Sequence, residues 1–282
     1  MAGPAPLDIY REGQGLIPAS FAKAGFVAPV KPKYRRLMIA TEGPPNTGKS
    51  EFILSSAGPG IMVCLDRQGE AVLDNPDPPS WRNPDFVIKN VTIPLNLSTT
   101  KENYLEHWKA LRETTYAALA IPEARTVGLD GDSDGFELQT LGEFGKLTQI
   151  PAIMRTGLNA ARRLFVSRLY DSGKIIIATN KIKKVYADKI DPVTGTPVMY
   201  DGKPVREWDG TYERQGFSDH GYLWQVQLLH LYDEEKQQFG IRILEAKANM
   251  SLKGQELWGD DCNMQSLVQF IYPHYPLSDW GF

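Results

Sequence analysis

Apolar and polar residues alternate along the middle of the chain in the two rhythms of an α/β protein. Short apolar runs rich in β-branched residues predict strands at residues 37–40, 61–65, 87–93, 126–129 and 175–179. Between them, apolar residues recur every three or four positions and predict helices, notably over 101–120 and 157–170. Strands that alternate with helices predict a mainly parallel sheet flanked by helices.

The pattern changes after residue 180. Two clusters of turn residues, 191–197 and 200–204, separate short β-prone pieces and predict a β-hairpin flap inserted at about 182–218. Two longer strands, 222–232 and 239–246, then flank a polar turn and are expected to extend the sheet with antiparallel strands.

The N-terminal residues differ in composition from the rest of the chain. Residues 1–33 contain five prolines and several glycines, which resist regular structure and indicate an N-terminal arm. The remaining residues, 34–282, are expected to form one domain with a sizeable core.

Composition and charge limit the classes of protein to which the chain can belong. Hydrophobic residues make up 42% of the chain and charged residues 23%, and no apolar run is long enough to cross a membrane. The N-terminus lacks the pattern of a secretory signal, so we expect a cytoplasmic protein. Cys64 lies in an apolar run and is expected to be a buried thiol. The net charge is −3, so binding to nucleic acid would require a local basic patch.

A phosphate-binding loop follows the first predicted strand. The sequence Gly43-Pro44-Pro45-Asn46-Thr47-Gly48-Lys49-Ser50 matches G-x-x-x-x-G-K-[ST], with Glu51 continuing into a helix. Glycines let successive backbone N–H groups point at one anion, and the positive end of the helix dipole adds to the attraction. Lys49 is expected to reach the β- and γ-phosphates of ATP, and Ser50 to bind Mg²⁺.

A carboxylate near the metal is also expected. Residues 126–129 form an apolar strand that ends at Asp130, which makes Asp130 our candidate for holding Mg²⁺. Asp132 or Asp134 is an alternative, and a plain turn rich in aspartate and glycine is another.

A second predicted strand, 61–65, leads into Asp66-Arg67-Gln68-Gly69. The other segments that carry a family resemblance lie at 143–149, 159–163, 172–181 and 213–217. Together with the phosphate-binding loop, this order resembles phage nucleotide-binding proteins with a RecA-like P-loop ATPase core, over roughly residues 35–260. Some members of that group act as single-strand annealing or recombination ATPases. The resemblance implies a RecA-like fold, ATP and Mg²⁺ as ligands, and a homo-oligomer.

The resemblance also implies roles for individual residues. A glutamate that polarises the attacking water is expected near the end of the second strand, but Gln68 occupies the matching position. An amide orients water without accepting its proton, so Glu70 is the substitute candidate and the rate of hydrolysis stays open. Asn180 and Lys181 resemble a polar sensor of the γ-phosphate, although Lys181 is equally explained as a solvated charge.

A basic segment is the candidate interface for single-stranded DNA. Residues 155–189 contain nine lysines and arginines against two aspartates, and the flap that follows adds aromatic residues suited to stacking on bases. The candidate contacts are Arg162, Arg163, Lys181, Lys183, Lys184, Lys203 and Arg206, with Tyr186, Tyr200, Trp208 and Tyr212 for stacking. The alternative is a solvated helix face with flap aromatics packed on the body of the protein.

Two weaker features bear on assembly. Phe21 and Ala24 resemble the element by which RecA-type subunits dock on a neighbour, although a phenylalanine anchored on its own domain fits as well. Lys247 and Lys253 resemble basic residues supplied to a neighbour's phosphates, or are surface charges.

The sequence therefore predicts an ATPase of the RecA-like type that acts on single-stranded DNA in recombination or annealing. A nucleotide-gated binding or assembly factor with a protein partner is the main alternative, which Gln68 favours. A kinase for a small molecule ranks last, because no acceptor site is recognisable.

Overall fold

The structure is a computed structural model that describes residues 34–65, 69, 72, 74–91, 99–146, 151–217 and 220–282. The predicted arm at 1–33, including Phe21 and Ala24, lies outside the described residues, and so do Gln68 and Glu70. The predictions for these positions stay predictions.

Twelve strands and six α-helices occur within the described ranges. The strands are β1 (Leu37–Glu42), β2 (Gly60–Cys64), β3 (Phe86–Asn90), β4 (Thr126–Asp130), β5 (Ile175–Asn180), β6 (Ile182–Asp188), β7 (Met199–Tyr200), β8 (Lys203–Pro204), β9 (Arg206–Arg214), β10 (Val226–Asp233), β11 (Gln238–Ala246) and β12 (Glu256–Trp258). The helices are α1 (Lys49–Leu54), α2 (Lys101–Ala120), α3 (Asp132–Phe144), α4 (Ala152–Asp171), α5 (His220–Leu223) and α6 (Met264–Ile271).

Eight of the strands form one sheet in the order β12-β11-β10-β1-β5-β4-β2-β3. The six strands from β10 to β3 are parallel to their neighbours, while β10, β11 and β12 pair antiparallel. The predicted α/β class, with a mainly parallel sheet and antiparallel C-terminal strands, is confirmed. Because parallel strands end at the same edge, the carboxyl ends of β1, β4 and β5 meet there.

The sheet is covered on both faces, as a parallel sheet requires. Every residue of β1 and β5 is buried. One core contains Phe52, Ile53 and the apolar face of α6, and the other contains Trp108 of α2 and Phe165 of α4. The apolar side of α2 therefore packs in this second core.

Helix α1 lies unusually close to the sheet where it crosses β4. A Cβ atom on Gly128 would lie 2.4 Å from Cγ2 of Ile53, so only glycine fits without a shift of the helix. This close approach brings the start of α1 next to the end of β4.

The predicted flap is present as a hairpin that does not pair with the main sheet. Strands β6 and β9 pair antiparallel, and the short strands β7 and β8 pair with each other between them. The hairpin leaves the sheet directly after β5, so it is rooted beside the carboxyl edge.

Two further expectations concern burial. Both cysteines are buried free thiols, as predicted for Cys64. In the described part of the chain, no helix is long and apolar enough to cross a membrane.

Candidate functional site

The loop between β1 and α1 has the shape of an anion-binding nest. Asn46 and Gly48 have left-handed backbone conformations, with φ of 59° and 82°. Left-handed residues within a turn direct backbone N–H groups toward a common concavity, and the start of α1 lies directly behind it. The local sequence thus folds as its motif predicts.

The first residue of the loop is held tightly against β10. A Cβ atom on Gly43 would lie 3.0 Å from Cβ and the carbonyl oxygen of His230, and 3.0 Å from Oγ1 of Thr47. A side chain at this position would displace the loop from the sheet, so glycine is a steric requirement here.

The ammonium group of Lys49 lies across the loop. Its Nζ donates hydrogen bonds to the carbonyl oxygens of Gly43, at 3.1 Å, and of Pro44. Oγ1 of Thr47 donates to the same Pro44 carbonyl, at 2.9 Å. These contacts hold a positive charge at the mouth of the nest, where a phosphate oxygen would lie.

A chain of hydroxyl groups and one carboxylate joins α1, β4 and β5. Ser50 Oγ donates to Asp130 Oδ2 at 2.7 Å, and Thr179 Oγ1 donates to Asp130 Oδ1 at 2.7 Å. The N–H of Gly131 donates to Thr179 Oγ1 at 2.8 Å. The structure thus brings Ser50 and Asp130 into direct contact, although they are 80 positions apart in the sequence.

These two residues fit the predicted metal. Mg²⁺ prefers oxygen ligands, and it commonly takes only one or two from the protein while substrate phosphates and water complete its shell. The described residues contain no group of three or more histidine, cysteine or acidic side chains that would enclose an ion without a substrate. The donor set suits an Mg²⁺ ion that arrives with a nucleotide.

The alternative acids have other partners. Asp132 forms a buried ion pair with Arg162, and Asp134 accepts a hydrogen bond from Lys181 Nζ at 2.7 Å. Of the three aspartates considered from the sequence, Asp130 alone contacts Ser50 among the hydrogen bonds described.

The loop forms one wall of a cleft of about 620 Å³. The carboxyl ends of β4 and β5 form another wall, with Asp130, Thr179 and Asn180, and Phe239 of β11 also contributes. Val72 lines the cleft too, and it follows the predicted positions Gln68 and Glu70 in the sequence.

The two candidate sensor residues line this cleft in different ways. Asn180 is buried, and its Nδ2 donates to the carbonyl oxygen of Thr41 at 3.3 Å. Lys181 is more than half exposed and is paired with Asp134. Both residues line the same cleft as Lys49 and Ser50, and their roles remain predictions.

His230 is a residue of the site that the sequence did not single out. It is fully buried behind the loop, where Nδ1 donates to the carbonyl oxygen of Thr47 at 3.1 Å and the ring lies edge-on to Phe52. Burial, with the nearby charge of Lys49, lowers the pKa of His230 to about 3. The imidazole is therefore neutral at physiological pH and supports the loop without adding charge.

The structure corrects the proposed DNA contact at Arg162. This side chain is 1% exposed, pairs with Asp132, and has the rings of Trp108 and Phe165 within 6 Å of its guanidinium carbon. It cannot reach a DNA strand from there. A signal was available, since Arg162 lies four residues after Leu158 and four before Val166, which are both buried on the inner face of α4.

The other candidate DNA contacts are exposed. Arg163 lies on the outer face of α4, and the rest lie on or beside the hairpin. Three of them are paired with acids: Lys181 with Asp134, Lys183 with Glu213 and Arg206 with Asp188. Residues 182–214 carry six basic and six acidic side chains, so the hairpin has no net charge.

One face of the hairpin is aromatic and open to solvent. Tyr186, Trp208 and Tyr212 are each between 42% and 46% exposed. The rings of Trp208 and Tyr212 have centroids 5.3 Å apart, and Lys184 Nζ lies 4.8 Å from the Trp208 ring. These rings are therefore partly open to solvent, and the alternative that they pack on the body of the protein stays a prediction.

A polar network connects the base of the hairpin with the end of β1, next to the phosphate-binding loop. Arg214, at the end of β9, forms an ion pair with Glu42, which directly precedes Gly43. The same guanidinium donates to Gln227 Oε1 at 2.8 Å, and Gln227 donates to Glu245. The base of the hairpin is thereby in direct contact with the last residue of β1, which precedes the loop.

No protein-family model matches the chain, and no curated protein matches it by sequence. Among solved structures, the crystal structure of the RadB recombinase is similar, with 11% sequence identity over 80% of this chain and 87% of that chain. The TM-score is 0.39. A likeness of this size carries no argument about the activity of this chain.

Proposed function

We propose that this protein binds ATP with Mg²⁺ in the cleft and uses the nucleotide to act on single-stranded DNA, in recombination or annealing. The observation that carries the nucleotide half is the geometry of three residues: Lys49 at the mouth of the nest, and Ser50 in contact with Asp130. A cation for phosphate and two oxygens for a metal, at the start of one helix, are what a metal–triphosphate complex requires.

Each side chain has a distinct task in this proposal. Lys49 binds phosphate oxygens, while Ser50 and Asp130 hold Mg²⁺, which neutralises charge on the triphosphate. Thr179 fixes the orientation of the Asp130 carboxylate by donating to its second oxygen. Asn180 and Lys181, which line the same cleft, contact the terminal phosphate in this proposal.

Exchange of Lys49 for alanine tests the nucleotide half. Lys49→Ala removes charge-assisted hydrogen bonds to phosphate, and we expect the Kd for ATP with Mg²⁺ to rise by about 100-fold or more. Lys109→Ala, which removes an exposed lysine from α2, is the matched control and should leave the Kd unchanged. Isothermal calorimetry gives both values, and unchanged affinity in Lys49→Ala would contradict the proposal.

The aromatic face of the hairpin supports the DNA half. Unpaired bases stack on exposed aromatic rings without regard to sequence, and Lys184 beside Trp208 adds a cation for the backbone. Fluorescence anisotropy with a labelled single-stranded oligonucleotide, with and without ATP, tests this interaction. Equal, weak binding to the protein and to a variant that lacks residues 183–213 would count against it.

A second candidate function rests on the acids of the cleft. The carboxylates that line its described walls are Glu51, Asp130 and Asp134, and each already has a partner: Arg82, Ser50 and Lys181. This favours a nucleotide-gated binding or assembly factor with slow turnover, unless Glu70 or Gln68 supplies the missing group. Turnover stimulated by single-stranded DNA supports the ATPase, whereas tight binding of ATP with negligible turnover supports the gated factor.

A further inference from the structure

Two aromatic side chains stand beside the nucleotide loop and take no part in the function described so far. Tyr232 of β10 and Phe239 of β11 are directly opposite each other in the antiparallel pair, and their ring centroids are 5.0 Å apart. Both rings are partly exposed, at 37% and 42%. Large aromatic side chains in this position leave apolar area in water, which a ligand could cover.

Phe239 touches the loop itself. A Cβ atom on Gly48 would lie 3.3 Å from Cδ1 and 3.4 Å from Cγ of Phe239, so the ring lies against the backbone just before Lys49. The same ring lines the cleft that contains Lys49, Ser50 and Asp130. The phosphate-binding groups and the aromatic ring therefore share one cavity.

The sheet order separates the aromatic pair from the metal-binding acid. Strand β1, which leads into the loop, has β5 and then β4 with Asp130 on one side, and β10 and then β11 with Phe239 on the other. A metal–phosphate group held toward Asp130 leaves the rest of the nucleotide on the β10–β11 side of the loop.

The pair is also held in place before any ligand arrives. The hydroxyl group of Tyr232 donates to Gln237 Oε1 at 2.8 Å, and Gln237 itself has a left-handed backbone in the turn, with φ of 53°. The Tyr232 ring in turn supports that of Phe239. A ring that is already ordered loses little entropy when a flat ligand stacks on it.

We propose that Phe239, supported by Tyr232, is the stacking platform for the base of the bound nucleotide. This inference rests on the proposed nucleotide binding and adds the base subsite to it. Stacking offers a π-face and no hydrogen-bond pattern, so Phe239 contributes affinity for the base rather than selectivity among bases.

The test compares a ligand that has a base with one that has none. Phe239→Ala should raise the Kd for ATP with Mg²⁺ by about 5- to 150-fold, the range for loss of one aromatic stacking partner. The Kd for tripolyphosphate with Mg²⁺ should stay within about twofold, because the groups that bind phosphate are unchanged. Tyr222→Ala, which removes an aromatic ring that is 86% exposed, is the matched control and should change neither value.

The outcomes separate this inference from the proposed function. If the unaltered protein binds ATP and Phe239→Ala binds it equally well, the base subsite is wrong and the nucleotide site stands. An equal loss for ATP and tripolyphosphate also overturns the subsite, since Phe239 then only supports the loop. If the unaltered protein binds neither ligand, the proposed function itself fails.

A second variant gives a readout that does not depend on lost affinity. Phe239→Trp keeps an aromatic face in the cleft, and its additional indole fluorescence should be quenched by ATP but not by tripolyphosphate. The unaltered protein, with its six native tryptophans, provides the baseline. A change that is the same with both ligands, or absent with both, contradicts stacking at this position.

Discussion

The buried ion pair between Arg162 and Asp132 leads to a prediction that separates structure from DNA binding. The two side chains are 1% and 4% exposed, and aromatic rings surround the guanidinium group. Arg162→Ala removes the cation that pairs with Asp132 and leaves this carboxylate buried without it. Breaking a buried pair in this way costs about 3–5 kcal/mol, a large part of a typical folding free energy.

That cost can be converted into a measurable shift. For a domain of about 150–250 residues, 1 kcal/mol corresponds to roughly 2–4 °C in Tm, so Arg162→Ala should melt about 6–20 °C lower. Circular dichroism with heating measures this directly. Arg163→Ala, the adjacent exposed residue on α4, is the matched control and should shift Tm by no more than about 2 °C.

The double variant Arg162→Met with Asp132→Leu distinguishes an uncompensated charge from lost packing. Replacement of both partners by apolar side chains of similar size should restore most of the Tm, because no charge is left buried alone. The reasoning is refuted if Arg162→Ala melts at the temperature of the unaltered protein. It is equally refuted if this variant keeps its Tm and loses affinity for single-stranded DNA, as a surface contact would.

Three further predictions concern the site and the hairpin. Because the pKa of His230 is about 3 in the folded protein and about 6.5 unfolded, the unfolded state alone binds a proton between these values, and stability should fall as the pH drops below 6.5, by up to about 1.4 kcal/mol per pH unit. His230→Asn, which can still donate to Thr47, should give a shallower dependence of chemical-denaturation midpoints on pH, and identical curves would contradict the assignment. Asp130→Asn removes the charge that holds the metal, so the gain in ATP affinity on adding Mg²⁺ should largely disappear in calorimetry, with persistence of that gain as the contrary result. Trp208→Ala should weaken binding to single-stranded DNA by about 5- to 150-fold in anisotropy titrations, whereas Val193→Ala, elsewhere on the hairpin, should not; equal loss in both would remove stacking as the cause.

The sequence predicted those features that depend on local pattern. The loop from Gly43 to Ser50 and the buried strands on either side of it follow from residue order and hydrophobic period alone. The contact of Ser50 with Asp130 was also within reach, because both lie at the carboxyl edge of a parallel sheet.

Features that depend on long-range packing were not predicted. His230 and Phe239 look like ordinary strand residues until the sheet order places β10 and β11 beside the loop. The need for glycine at position 128 appears only when helix α1 is seen to cross β4. Such contacts join positions far apart in the sequence, and no local pattern encodes them.

Two aspartates separated by one residue illustrate the same limit. Asp130 contacts Ser50 in the cleft, whereas Asp132 faces Arg162 in the interior. Gly131 between them has a left-handed conformation, with φ of 99°, which turns the chain from β4 into α3. The direction of each carboxylate depends on this turn and on the partner it meets, so the sequence left the choice of metal ligand open.

Charge counted along the chain overstates the charge available to a nucleic acid. Lys174 and Arg162 are both buried. Glu213 and Glu207 of β9 pair with Lys183 and Lys189, which belong to the segment that the sequence marked as basic. Of the seven residues proposed to contact DNA, one is buried and three are paired with acids. Each phosphate contact to a single strand contributes about 0.7 to the slope of log K against log salt, so the loss of these four contacts would make the slope less steep by about 3. With so few phosphate contacts, binding to single-stranded DNA must gain most of its affinity from base stacking. The exposed aromatic face of the hairpin is suited to provide that stacking.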